Sequence, residues 1–163
     1  MQESDHANVT TATRSACRTE RWPAHNTGVG EVRQDYFVER DGYRFAGSHL
    51  IVDLKGARHL DNLERMEEAL RAAVTAAGAT LLHLHLHHFT PNGGISGVAV
   101  LAESHISVHT WPERAFAAFD VFMCGQAKPE CTIPVLEAAF GPCRAEVTEI
   151  LRGRIAIDDD HFR

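Results

Sequence analysis

The sequence predicts an α+β fold: an antiparallel sheet with helices packed on one face, a two-layer α/β sandwich. Two patterns and their order predict it. Apolar residues alternate with period two over 80–89 and again over 144–151, as in half-buried strands. Helical spacing governs 63–77, and 132–140 reads as a second helix. The segments then run β-α-β-β-β-β-α-β.

Taken in order, Ser48–Leu54 (SHLIVDL) carries the Ile, Val and Leu of a strand, closed by Lys55-Gly56. Asp61 offers a helix N-cap with Glu64 three residues on, a capping-box spacing. Leu63, Met66, Leu70, Ala73 and Ala77 follow on one helix face, and Gly78 supplies the stop. Thr80–Phe89 (TLLHLHLHHF) places His83, His85 and His87 on one strand face and Leu82, Leu84 and Leu86 on the other. Pro91-Asn92-Gly93-Gly94 is a turn. Ile95–Ala102, Ile106–Thr110 and Phe116–Phe122 are three further strands. Helix Thr132–Phe140 ends at Gly141-Pro142, and Arg144–Leu151 is the last strand.

The chain has 163 residues, 44% hydrophobic and 23% charged, which suits one domain with a real core. Residues 1–44 lack a sustained apolar period and read as a flexible arm, so the folded domain is expected over 45–163. The net charge is −6 and no basic block occurs, so nucleic acid and anionic membrane are not expected as partners. No apolar run approaches the roughly 20 residues of a spanning helix, and no signal-peptide pattern opens the chain. A cytoplasmic location is the expectation. Cys17, Cys124, Cys131 and Cys143 form no C-x-x-C pair and read as free thiols.

Eleven histidines are the compositional oddity. The His83/His85/His87 stripe has the donor type for a transition metal. No Asp, Glu or Cys lies near it in sequence to complete a site, so it reads as the polar face of a half-buried strand, with no metal expected. Residues 94–125 are richer: Ser96, Glu103-Ser104-His105, Ser107, His109, Glu113 and Cys124. Hydroxyl, imidazole and thiol together suit several nucleophilic mechanisms, although the G-x-S-x-G elbow of a hydrolase is absent. On residue types alone, a polar strand-turn-strand remains as good a reading.

The block AESHISVHTWPE followed by AAFDVFMCG resembles the signature of the prokaryotic S-adenosylmethionine decarboxylases, pyruvoyl-dependent enzymes of polyamine synthesis. The resemblance runs from Gly47-Ser48-His49 to the last strand. It implies self-cleavage between Glu103 and Ser104, the Ser104 hydroxyl attacking the Glu103 carbonyl to make an ester. Elimination and hydrolysis would then leave Ser104 as a pyruvoyl group, the cofactor of the mature enzyme. His109 and Ser96 would assist, His109 chiefly by proton abstraction. The substrate amine would form a Schiff base with the pyruvoyl carbonyl, an electron sink for decarboxylation. Cys124 would reprotonate the α-carbon, Glu113 would bind the ribose hydroxyls and Phe89 would stack on adenine. The turn Pro91–Gly94 is one residue longer than in many members, which bears on Phe89. The resemblance also implies a homodimer at least, with pockets built from both protomers. Two alternatives stand beside it: a pyruvoyl-dependent decarboxylase of ornithine or arginine, and an unprocessed, inactive regulatory homologue.

Overall fold

The computed structural model describes residues 37–40, 42–102 and 104–156. Its main body is a six-stranded antiparallel sheet made from β3 (Gly47–Lys55), β4 (Leu81–His88), β5 (Ile95–Leu101), β6 (His105–Trp111), β7 (Phe116–Met123) and β8 (Arg144–Arg152). The strand order is β4-β5-β6-β7-β3-β8. Helices α1 (Leu63–Ala76) and α2 (Thr132–Phe140) cover one face. This is the two-layer α+β sandwich that the sequence predicts.

The alternation of side chains decides which face the helices take. Leu50, Val52 and Leu54 of β3, Ile106 and Val108 of β6, and Phe119 and Val121 of β7 are all buried against the helices. Met66, Leu70 and Ala73 of α1 meet them, as do Leu136 and Phe140 of α2. Each large apolar side chain so buried contributes about 1.5–3 kcal/mol. Phe119 and Phe140 stack at 6.1 Å between ring centroids. The ends of both helices follow from their chemistry. Gly78 and Gly141 take left-handed φ of 69° and 50° at the two stops, a conformation that costs glycine little.

Three details of the secondary structure differ from the sequence reading. The N-cap of α1 is Asn62, whose side chain accepts from the Arg65 backbone N–H at 2.9 Å. Asp61 lies one residue too early, so the capping box with Glu64 does not form. In β4 the register shifts between Leu81 and His83. This bulge turns Leu82 outward, 63% exposed, and leaves Leu81, Leu84 and Leu86 against the core. Finally, β1 (Val38–Arg40) and the first two residues of β2 (Tyr43–Phe45) lie inside the stretch read as an arm, and these strands join β9 (Ile155–Ala156) in a small second sheet. The arm reading for residues 1–36 lies outside the described residues.

An ion-paired seam ties the small sheet to the large one. Arg40 reaches Glu149 of β8 at 3.1 Å, and the other oxygen of Glu149 accepts from the buried Ser48 hydroxyl at 2.8 Å. Burial alone would raise the Glu149 pKa, but the hydrogen bonds from Arg40 and Ser48 and the charge of Arg40 hold it below its ordinary value.

No helix among the described residues is long and apolar enough to cross a membrane. Cys124 and Cys143 stand outside any disulfide, as expected. Cys131 is buried and disulfide-bonded, contrary to the free-thiol reading.

Candidate active site

The uncovered face of the large sheet carries most of the candidate site residues. Pairing registers lay its side chains out in three rows. One row runs His87, Ser96, His109, Ala118, Asp53, Glu146. The middle row runs His85, Val98, Ser107, Asp120, Ile51, Thr148. The third runs His83, Val100, His105, Phe122, His49, Ile150. The histidine stripe of β4 thus forms the outer edge of this face. Among the described residues no group of three or more His, Cys, Asp or Glu is arranged to hold a metal.

Two clusters stand at opposite ends of the face. At one end Ser96 Oγ lies 2.7 Å from His109 Nδ1, the two residues being register partners on β5 and β6. Trp111 follows on the same strand face, 6.2 Å from the His109 ring. Glu113 is exposed on the 3₁₀ turn Pro112–Arg114 that continues β6. Phe89 is 47% exposed and packs edge-on against His87 at 4.5 Å. Hydrogen bonds Phe89 N–Gly94 O (2.8 Å) and Gly93 N–Phe89 O (2.9 Å) close its turn. Phe89 is therefore no core residue; its ring is accessible at the same end as Ser96 and His109.

At the other end β5 turns into β6. Leu101 N donates to Ser104 O at 2.9 Å and Ser104 N donates to Leu101 O at 3.3 Å, a reciprocal pair of backbone bonds that draws the two residues together. Glu103 itself lies outside the described residues. Ser104 is half-buried, and its hydroxyl donates to Cys124 Sγ at 3.7 Å. Gly47 makes the close packing here possible. A Cβ at that position would stand 2.5 Å from Met123 O and 2.9 Å from the Phe122 ring, so any larger residue would push β3 away from the approach to Cys124.

A strand advances about 3.3 Å per residue, so Ser104 and His109 are separated by roughly 16 Å along β6. One chain brings Ser96 to His109 and Ser104 to Cys124, and keeps the two pairs apart.

Sequence reasoning gave no role to a third group near the Ser104 end. His49 Nε2 lies 3.3 Å from Asp120 Oδ1, Ser107 Oγ donates to Asp120 Oδ2 at 3.0 Å, and Arg152 approaches His49 Nδ1 at 3.4 Å. These residues come from four strands that are distant in sequence. His49, Ser107 and Asp120 lie within the quoted motifs, but only the sheet pairing brings them together with Arg152.

Fold and site define a small two-layer α/β protein in which the Ser104 hydroxyl and the Cys124 thiol meet at one sheet end. The family model described as S-adenosylmethionine decarboxylase matches residues 48–153. The S-adenosylmethionine decarboxylase proenzyme of Thermomicrobium roseum is 50% identical over 110 residues, 67% of this chain and 95% of that protein. The proenzyme of the same name from Methanococcus maripaludis is 50% identical over 120 residues, covering 72% and 96%. The crystal structure of the adenosylmethionine decarboxylase from Aquifex aeolicus superimposes with a TM-score of 0.64 at 33% identity. It covers 71% of this chain and 98% of that one. The chain belongs to the S-adenosylmethionine decarboxylase family.

Proposed function

We propose that the chain is a self-processing proenzyme that, once cut between Glu103 and Ser104, decarboxylates S-adenosylmethionine to the aminopropyl donor for spermidine. The observation that carries this reading is the Ser104–Cys124 pair at 3.7 Å, within the family's motif. The division into a cleaved domain and an N-terminal arm belongs to the same proposal.

A pyruvoyl group made from Ser104 fits this position, because a hydroxyl-bearing residue sits there with a proton-bearing thiol beside it. That group supplies an electron sink for the bond to the carboxylate. The chain's own residues do the rest. Cys124 delivers a proton to the α-carbon after carbon dioxide leaves, from the face on which its thiol already touches residue 104. His109 and Ser96 form one hydrogen-bonded unit, in which the serine hydroxyl orients the imidazole for proton abstraction during processing. Phe89 offers a flat apolar face to adenine, and Glu113 an acceptor for ribose hydroxyls.

Since the Ser96–His109 pair and the Ser104–Cys124 pair lie at opposite ends of one sheet face, a complete site needs a second copy. Two chains stacked by their open faces about a two-fold axis would set one end of each against the other end of its partner. Exposed Ile51, Val100, Trp111 and Ile150 give that face apolar surface to bury. A homodimer with two composite sites is therefore part of the proposal.

Processing and substrate are tested together. Purified protein should separate on a denaturing gel into chains of residues 1–103 and 104–163, the second resistant to Edman sequencing. Ser104→Ala should stay intact and inactive. S-Adenosylmethionine, ornithine and arginine are then offered to processed protein. Product from the first alone supports the reading, product from either amino acid alone moves the substrate, and an uncleaved wild-type chain marks a silent homologue.

A further inference from the structure

An open cleft of about 470 Å³ lies at the Ser104 end of the face, lined by Ala46, His49, His105, Phe122, Arg152 and Gly153. The Phe122 ring stands between the rings of His49 and His105, 5.9 Å from each, and gives the cleft an aromatic wall. Arg152 is its one permanent cation.

The direction of each hydrogen bond in this group follows from donor chemistry. A guanidinium has only donors, so His49 Nδ1 must accept from Arg152 Nη1 at 3.4 Å. The imidazole proton is then on Nε2, facing Asp120 Oδ1 at 3.3 Å. Asp120 is itself held by the Ser107 hydroxyl at 3.0 Å. Asp120 thus fixes the ring, and the ring steers the guanidinium. Arg40, Arg44, Arg71 and Arg144 each pair with a glutamate; among the described residues Arg152, like Arg65 and Arg154, has no carboxylate partner. Its charge is oriented by a neutral acceptor and left open to an anion.

We infer that Arg152, steered by His49, receives the α-carboxylate of the amino-acid substrate and thereby distinguishes substrate from decarboxylated product. The inference rests on the decarboxylation proposed above. The position suits it. Arg152 is the register partner of Gly47, whose own strand presses against Met123, the residue before Cys124. Two strand spacings of about 4.8 Å therefore separate its backbone from that strand end, a span that an arginine side chain covers much of. His105, which lines the same cleft, directly follows Ser104. A substrate amine directed to residue 104 carries its carboxylate on the adjoining carbon, so the carboxylate must lie within a few ångströms of that residue.

The energetics set the sign of the effect. When the bond to the carboxylate breaks, its electron pair stays on the α-carbon and carbon dioxide leaves uncharged. The guanidinium attracts the full charge of bound substrate, less the dispersing charge of the transition state, and nothing in the product. Its loss should weaken substrate binding without slowing the chemical step.

The test compares wild type, Arg152→Met and Arg152→Lys, each verified as fully processed by intact mass. Arg152→Met should raise KM for S-adenosylmethionine roughly tenfold or more, with kcat no lower than wild type. Equilibrium affinities for decarboxylated S-adenosylmethionine and for 5′-methylthioadenosine, which lack the carboxylate, should stay within about twofold. Arg152→Lys should recover part of the KM. A merely structural role would lower kcat and weaken all three ligands in parallel, and that result would overturn the inference. An unchanged KM in Arg152→Met, with active wild type, would overturn it alone; no turnover by wild type would overturn the proposed reaction with it.

Discussion

Ser104 Oγ and Cys124 Sγ lie 3.7 Å apart although they stand twenty residues apart in the chain, because β6 and β7 are antiparallel neighbours that bring those two ends together. The residue proposed for conversion and its proposed proton donor are thus companions in one protomer. Ser96 and His109 are companions too, at 2.7 Å, but at the far end of the same face. Each pair comes from neighbouring strands, and the distance between the pairs comes from the length of β6.

The thiol gives the first prediction. Cys124→Ala should keep the ability to bind substrate amine covalently while losing turnover. Misplaced protonation should progressively convert the cofactor and inactivate the variant. Cleavage is followed separately by mass. Wild-type turnover by Cys124→Ala would make this thiol a structural residue.

Nucleoside recognition gives the second. Glu113→Gln in the processed form should raise KM for S-adenosylmethionine more than it lowers kcat, the mark of binding shared by ground and transition states. Phe89→Ala should act in the same direction by removing stacking worth about 1–3 kcal/mol, by analogy with base–aromatic contacts. Steady-state kinetics on both variants check this. A fall in kcat with unchanged KM would contradict these roles.

Most of the architecture was legible because it depends on local periodicity. The alternation in 144–151 and the helical spacing in 63–77 identify their elements, and glycines at 78 and 141 mark the stops. The misses arise where one residue of register matters. Asn62 caps α1 in place of Asp61 because both are competent caps and only the backbone chooses between them. Leu82 turns outward at a bulge that strict alternation conceals. Strands β1, β2 and β9 are two or three residues long, too short for a periodic signal. In the site, the family resemblance names Ser96, Ser104, His109 and Cys124 but not their division into two distant pairs. That division requires the sheet register. His49, Asp120 and Arg152 meet only through pairing among β3, β7 and β8.

The seam between the two sheets carries a pH dependence. Because the Glu149 carboxyl is held below its ordinary value in the folded chain, its ionised form adds stability above the unfolded pKa, near 4.5. That contribution should fade as pH falls from there through the lowered folded value. Arg40→Met removes a donor and a charge, and should move the acid unfolding midpoint to higher pH while changing neutral stability little, since Arg40 and Glu149 are both substantially exposed. Acid titrations followed by circular dichroism check the sign. A midpoint moved to lower pH would contradict it.

In the proposed dimer each active site takes Ser104 and Cys124 from one chain and Ser96, His109, Phe89 and Glu113 from its partner. The most direct measurement is complementation between processed Cys124→Ala and Glu113→Ala, co-expressed in equal amounts and assayed at an S-adenosylmethionine concentration too low for Glu113→Ala alone to turn over. In a mixed dimer one composite site would receive both substitutions and the other neither. With random pairing, about a quarter of all sites should then be intact, so activity should return to about a quarter of wild type. If the mixture stays as inactive as the two variants alone, although mixed dimers are present, the site is built within one chain and the account is wrong.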